Sequence, residues 1–371
     1  MKNGLLICQG TAKEKNIGDY IQSLASEQFF SKIDVWVERE ELKAFQSEKP
    51  CKVIMNAWFM KNPSMWPPSS DIIPLLISMH ISPKVASQML TKESIDYLQK
   101  NSPIGCRDLN TQCILKEKGI SCYFSGCLTL CLGEKYCSSD KTNEIIFVDP
   151  YYEVGIRCKK DLFSLKGLKK VAKDFYRLIR FHKQINELMP KFSYEFSSNF
   201  YKKISPVLDR RMQVGSFIAT YTKAFDLKLL LNSIFLSHKI KQEDYPSTKK
   251  MMDLARDLVF RYAKAKMVIT SRLHCALPCL GVETPVLFIS SDNLESYNNP
   301  LRSAGRFDGL IEFVRTLRWT SKGVFATDDE IKKIIDKEKL ISLSTTIKNK
   351  NSHITLKEKM LDLCYKFAKG L

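Results

Sequence analysis

The sequence of 371 residues holds no apolar run approaching the roughly 20 residues that a membrane-spanning helix needs. Its opening stretch, MKNGLLICQG, carries too short an apolar run for a secretory signal. A cytoplasmic protein is expected. The twelve cysteines then stay reduced and act mostly as small buried hydrophobes. No C-x-x-C pair occurs, and the six cysteines from Cys106 to Cys137 follow no zinc spacing, so no metal is expected. Internal repeats and low-complexity tracts are missing too, which excludes a repeat architecture. Acidic residues are few: 40 Asp and Glu stand against 58 Lys and Arg, a net charge of +18. That balance points to acidic partners or to a solvated lysine-rich surface. The acidic partners to weigh are nucleic acid, an anionic membrane surface, and phosphorylated or carboxylated ligands. No nucleic-acid-binding motif appears, and the aromatics do not interleave with basic residues, so no nucleic-acid partner is expected.

What is present is an ordinary globular balance, 44% apolar and 26% charged. The length exceeds one ordinary core, so two domains are expected. Short apolar runs alternate with amphipathic stretches, the pattern of an α/β fold. Strands are expected at 4–8, 33–37, 53–59, 75–81 and 120–124, with helices at 19–29, 92–100 and up to about 118. Residues 133–143 are polar and turn-rich, which places a boundary there. The expected division is a first α/β domain over 1–140, a second over 141–330 opening on a strand at 144–149, and a helical tail over 331–371. Apolar residues recur at helical spacing over 162–188, while Lys166, Lys169, Lys170, Lys173, Arg177, Arg180 and Lys183 hold the other face. This basic amphipathic helix either packs on its own domain, the favoured reading, or lies on an anionic membrane. Residues 193–230 show no clear period. A strand is expected at 233–236, a helix from Pro246 to 264, an edge strand or short helix at 310–317, and a last helix at about 356–369.

The most informative stretch is RYAKAKMVITSRLHCALPCLGVETPVLFIS, residues 261–290. It reads as helix end, buried strand, polar corner, helix and second buried strand. The corner Ser271-Arg272-Leu273-His274 thus lies where a parallel strand ends and a helix begins, the binding edge of an open α/β sheet. A helix N-terminus there offers free N–H groups and partial positive charge to an anion. Pro278 predicts a kink or a short first segment in that helix. Arg107 stands at another strand end, with Asp108 or Asn110 as helix cap; the plainer reading is an Arg107–Asp108 surface pair. After the first strand comes Asn16-Ile17-Gly18-Asp19. Gly18 permits a tight turn, Asn16 is a candidate substrate contact, and Asp19 either caps the next helix or also meets a substrate. His80 and His238 lie near strand ends, where a histidine is either packed and hydrogen-bonded or catalytic. The stretch NAWFMKNPSMWPPSS, residues 56–70, is expected to be an irregular loop that covers the core or stacks on a sugar. A polar loop at 290–299, followed by Arg302 and Arg306, comes after the second buried strand.

Taken together, these pieces resemble the polysaccharide pyruvyl transferase family. The likeness rests on Asn16-Ile17-Gly18-Asp19, on Arg107-Asp108, on Ser-Gly-Cys-Leu-Thr-Leu at 125–130, and above all on 262–289. That block has a Tyr-Ala-x-Ala-Lys helix end, a Val-Ile-Thr-Ser-Arg-Leu-His corner and a Gly-x-x-Thr-Pro-Val return. The resemblance implies two Rossmann-like domains in a GT-B-like arrangement, with the active site in the interdomain cleft. It implies transfer of pyruvate from phosphoenolpyruvate onto two hydroxyls of a sugar as a cyclic ketal, with no metal and no further cofactor. Arg272 and His274 carry over as donor-site residues, with Arg107 and His238 beside them. The candidate catalytic groups are His274, Asp19 and His80, and the candidate acceptor contacts are Asn16 and Asp19. The chain departs from the family pattern in a basic helical insertion at about 150–232, which leaves the acceptor open.

Phosphoenolpyruvate carries a carboxylate and a phosphate, and the planar arginine fork matches both. Arg272 and Arg107 would supply one fork from each domain and meet on domain closure. Proton movement needs a group titrating near neutrality, which points to His274, its pKa lowered by the neighbouring arginine and helix dipole. His80 or His238 would complement it. The expected acceptor is a capsule or exopolysaccharide saccharide carried on undecaprenyl diphosphate. A basic surface including 166–183 would then hold the enzyme peripherally on the inner membrane face. The alternative is a GT-B glycosyltransferase with a nucleotide-sugar donor, which shares the architecture.

Overall fold

The computed structural model describes residues 1–9, 14–153, 162–192, 200–241, 243–291, 305 and 307–370. Of the expected loop at 290–299, Ser290 and Ser291 end strand Val286–Ser291, while 292–299, Arg302 and Arg306 fall outside the described residues. The fold is mixed α/β and contains two larger sheets. The first is parallel, in the spatial order Val35–Glu38, Lys2–Ile7, Cys51–Met55, Ile72–Leu76. The second runs Ile234–Leu236, Ile145–Val148, Met267–Thr270, Val286–Ser291, Arg315–Thr320, Gly323–Ala326; only the last strand is antiparallel. In each sheet the chain lays its second strand on one side of the first and its third on the other. The gap between first and third strands is a topological switch point, where open sheets bind ligands.

The central strands Ile145–Val148 and Met267–Thr270 are buried along their whole length, as apolar strands covered on both faces should be. On one face, a single apolar cluster joins Leu5 and Ile7 of the first sheet to Ile146, Val148 and Val268 of the second. Helices Ile17–Glu27 and Thr248–Lys264 supply Ile21, Leu24, Met252, Ala255 and Val259 to it. On the other face, Phe147, Phe235 and Ile269 pack against Leu188, Phe192, Phe217 and Tyr221. The two halves are also tied by a short antiparallel ladder, Glu14–Asn16 with Lys239–Lys241.

Several elements differ from the sequence reading for local reasons. The expected strand at 53–59 divides into Cys51–Met55 and Trp58–Phe59, because Asn56 turns inward and its Nδ2 donates to the Gln22 carbonyl, 2.8 Å away. The expected strand at 75–81 divides at Ser78, whose φ of +54° takes the chain out of the ladder. The 56–70 stretch is not wholly irregular, since Trp58–Phe59 pairs with His80–Ile81. Arg315–Thr320 is an inner strand, and Gly323–Ala326 holds the edge. The basic segment is the crossover between the first two strands of the second sheet. Its expected single helix breaks at Phe181 into Leu165–Arg180 and His182–Leu188. Within 193–230 lies Pro206–Tyr221, started by Ser205, whose side chain accepts the Leu208 N–H at 3.2 Å. Helix Leu165–Arg180 packs on the second core cluster, as favoured, with Leu178 against it, but the expected apolar face as a whole is not the side that packs. That helix turns Gly167, Asp174 and Arg177 inward and leaves Leu165, Leu168 and Ile179 exposed. Buried Arg177 fixes this rotation, donating to Asp174 at 3.2 Å, Ser216 at 3.3 Å and Glu153 at 2.7 Å.

The tail forms Asp329–Glu338 and Ile354–Lys369. The last helix returns to the first sheet, with Tyr365 and Phe29 rings 5.0 Å apart and Lys52 Nζ donating to the Phe367 carbonyl at 3.1 Å.

Candidate active site

Strand Met267–Thr270 ends at the switch point of the second sheet, and its neighbour Ile145–Val148 ends beside it at Asp149. Thr270 Oγ1 donates to the Val148 carbonyl at 3.0 Å and accepts the Arg272 N–H at 2.9 Å, which shapes the turn. Ser271 Oγ donates to the Asp149 carbonyl. Asp149, at a φ of +43°, aims its carboxylate back across the strand ends. There it accepts from Arg272 Nε at 2.8 Å, Ser237 Oγ at 2.8 Å and the His238 N–H at 3.0 Å. Asp149 thus organises Arg272 and His238 together. His238 is buried, and its Nε2 lies 2.9 Å from Tyr262 Oη.

Arg272 is the N-cap of helix Leu273–Gly281, and His274 inside that helix has non-helical angles, φ −78° and ψ 16°. The kink lies four residues before Pro278, where the proline ring meets a preceding carbonyl and no N–H answers it. Against His274 lies the turn at 16–18. A Cβ on Gly18 would stand 2.9 Å from the His274 Cβ, so only glycine admits this approach without displacement. Gln22 Nε2 reaches to 3.5 Å from His274 Nδ1. The N-cap of helix Ile17–Glu27 is Asn16, whose Oδ1 accepts the Gly18 N–H at 3.2 Å. Asp19 lies in the first turn instead of capping the helix. Its Oδ1 is 3.8 Å from Arg39 Nη1.

Arg107 follows the buried strand Ile104–Cys106 and is 2% exposed. Its Nε and Nη1 make no hydrogen bond, although Asp108 Oδ2 lies 3.7 Å from Nε. The surface-pair reading is therefore corrected: both residues are buried. Asp108 caps helix Leu109–Lys116, accepting the Thr111 N–H at 2.9 Å, and lies 2.6 Å from His80 Nδ1. Burial alone would raise the Asp108 carboxyl. The His80 ring, Arg107 and the Thr111 N–H outweigh it and hold the group below the usual carboxylate range.

Asn16, Asp19, Arg107, His238, Arg272 and His274 line one cleft of about 260 Å³, together with Trp58 and Leu273. His80 does not line it; it stands behind Arg107, on Asp108. Of the 56–70 stretch, Trp58 reaches the cleft, while Trp66 is in the core. Arg39 lies 5.2 Å from the Trp58 ring centroid and donates to Cys8 Sγ at 2.9 Å. Burial pushes the Cys8 thiol up to about 11, so it stays protonated. Asp149, Arg39 and Gln22 were not singled out from the sequence. Asp149 stands directly after a buried strand, the same signal that marked Arg107, whereas Arg39 follows the partly exposed strand Val35–Glu38. Gln22 offered none. Among the described residues no three His, Cys, Asp or Glu side chains converge on a metal-sized site.

The arrangement can hold a compact dianion between two arginines, with a histidine and a carboxylate at hand for proton transfer. A buried guanidinium with unanswered donors is costly, and a bound anion relieves that cost. The family model described as polysaccharide pyruvyl transferase matches residues 16–293, a span that contains every cleft residue named above. No curated protein and no solved structure matches the chain.

Proposed function

The chain belongs to the polysaccharide pyruvyl transferase family, and on that premise we propose that it moves pyruvate from phosphoenolpyruvate onto a sugar diol as a ketal. The observation that carries this reading is buried Arg107, with two donors unanswered, in the same cleft as Arg272 and His274. Arg107 and Arg272 hold the carboxylate and phosphate of the donor, and His238 borders them. The two sheets then belong to two Rossmann-like domains in a GT-B-like arrangement, and the cleft closes as they approach.

A proton adds to C3 of the enol, making the methyl group and an electron-poor C2. One sugar hydroxyl adds to C2 and releases its proton. The C2–O bond to phosphate breaks, and phosphate leaves with the electron pair. The second hydroxyl then closes the ketal. Two hydroxyl protons are given up, one balancing C3 and one taken by the departing phosphate. His274 moves these protons. Asp19 orients the acceptor hydroxyl, Asn16 binds beside it, and Trp58 offers a face for the sugar ring. His80 acts through Asp108 and Arg107, as a positioning residue. The acceptor is a surface-polysaccharide saccharide carried on a lipid diphosphate.

The test is incubation with phosphoenolpyruvate and a panel of glycans. Acceptor-dependent phosphate release, with a glycan heavier by one pyruvate ketal, is the expected result. Glycosyl transfer from a nucleotide sugar, with no use of phosphoenolpyruvate, would overturn the proposal.

A further inference from the structure

Helix Leu165–Arg180 presents three sides. Gly167, Asp174 and Arg177 face the protein. A second side carries Leu165, Leu168, Phe175, Tyr176 and Ile179, which fall within one arc at helical spacing. These side chains are not covered: Leu165 is 80% exposed and Ile179 76%, and Phe163, just ahead of the helix, is 90% exposed. Lone exposed apolar residues need no explanation, but five along one arc of a helix mark an interaction surface. The third side, adjoining the stripe, carries exposed Lys166, Lys169, Lys173 and Arg180.

A second feature lies against the same helix. A cavity of about 390 Å³ opens between its C-terminal half, the end of helix Pro206–Tyr221 and the turn at 321–323. Arg180, Lys223 and Lys322 line it. Glu153 answers Lys173 and Arg177 nearby, at 2.9 Å and 2.7 Å, so the net charge of the cavity stays positive.

We propose that this face docks the protein on an anionic lipid surface, with the apolar stripe in the acyl boundary and the basic side and cavity on lipid phosphates. The pairing of an exposed apolar stripe with a flanking cationic stripe on one helix is the signature of an interfacial helix lying in the membrane plane. No helix among the described residues is long and apolar enough to cross the bilayer, so the contact is peripheral. A soluble polyanion would use the lysines and leave the apolar stripe in water. A second copy would bring two like-charged faces together on a chain of net charge +18. The inference does not depend on which reaction the cleft performs.

The full chain is mixed with vesicles of phosphatidylglycerol and phosphatidylcholine, and with vesicles of phosphatidylcholine alone, and sedimented. Binding to the anionic vesicles and little to the neutral ones is expected. Replacing Leu165, Leu168 and Ile179 together with serine should weaken that binding by about tenfold or more. Replacing Lys166 and Lys169 with glutamine should weaken it about thirtyfold. Both variants should unfold at the wild-type temperature, since the altered side chains are exposed. Absence of binding to anionic vesicles overturns the proposal. So does binding that responds to the lysines but not to the apolar stripe, which marks a surface for a soluble polyanion. A dimer seen by ultracentrifugation and dissociated by the serine variant, without vesicle binding, overturns it in favour of a self-interface.

Discussion

Arg107 is held where a protein gains least from a charge. It is buried, its nearest carboxylate is 3.7 Å away, and two of its nitrogens have no hydrogen-bond partner. Replacing it with methionine removes the unanswered donors but also one of the charges that favour ionised Asp108, so the stability of the unliganded protein should change little. A thermal midpoint several degrees lower would mean that Arg107 is structural. Asp108 behaves oppositely. Its folded pKa lies below the usual range, so its charge stabilises the fold at neutral pH. That stability is complete above the ordinary aspartate value of about 4 and is lost as pH falls through the lower folded value. Asp108→Asn keeps an acceptor for the Thr111 N–H and loses the charge. The wild type should thus lose stability more steeply than the variant as pH drops below about 4; parallel acid limbs in denaturant titrations would contradict this. At this scale the sequence showed the strand-end arginines, because a charge directly after a buried run is visible in one dimension. It could not show that Asp149 ties Arg272 to His238, because that tie crosses 123 and 89 positions of chain.

Among the elements, two bring His274 to its place. The kink before Pro278 frees it from the regular helix, and the 16–18 turn lies against it. Gly18→Ala puts a methyl group into that contact, an overpacking costing about 1–3 kcal/mol. Turnover should fall well beyond any loss of stability, because the displaced group is the one proposed to move protons. Measuring kcat beside the unfolding midpoint checks this, and full turnover in the variant would separate the turn from the histidine. The corner helix was legible because apolar strand, polar corner and return strand follow each other within thirty residues. The rotation of Leu165–Arg180 was not. Its inward side is set by a buried ion-pair network, and hydrophobic periodicity assigns such residues to the surface. Helix Pro206–Tyr221 had a readable start in Ser205-Pro206, but its buried polar residues Gln213, Ser216 and Thr220 blurred the period.

For the whole molecule, an apolar cluster spanning both sheets and the final helix sets the cleft. Met360 and Cys364 are fully buried in it, with Leu356, Leu361 and Phe367 packed against them. Each fully buried side chain of this kind contributes about 1.5–3 kcal/mol. Removing the helix would expose this part of the cluster, against a net stability of only about 5–15 kcal/mol for a folded domain. A chain ending at residue 352 should unfold at a much lower temperature than the full chain; an unchanged midpoint in calorimetry would show that the tail is dispensable. The α/β class was readable from alternating apolar runs. How the sheets meet was not, because the 14–16 and 239–241 ladder and the returning tail join distant parts of the chain. Calorimetric titration of phosphoenolpyruvate into the wild type and the Arg107→Met variant tests the central claim most directly. The account predicts saturable binding to the wild type and a loss in the variant of about 2–5 kcal/mol, thirtyfold or more in affinity. Equal binding to both, or binding of a nucleotide sugar in place of phosphoenolpyruvate, would contradict it.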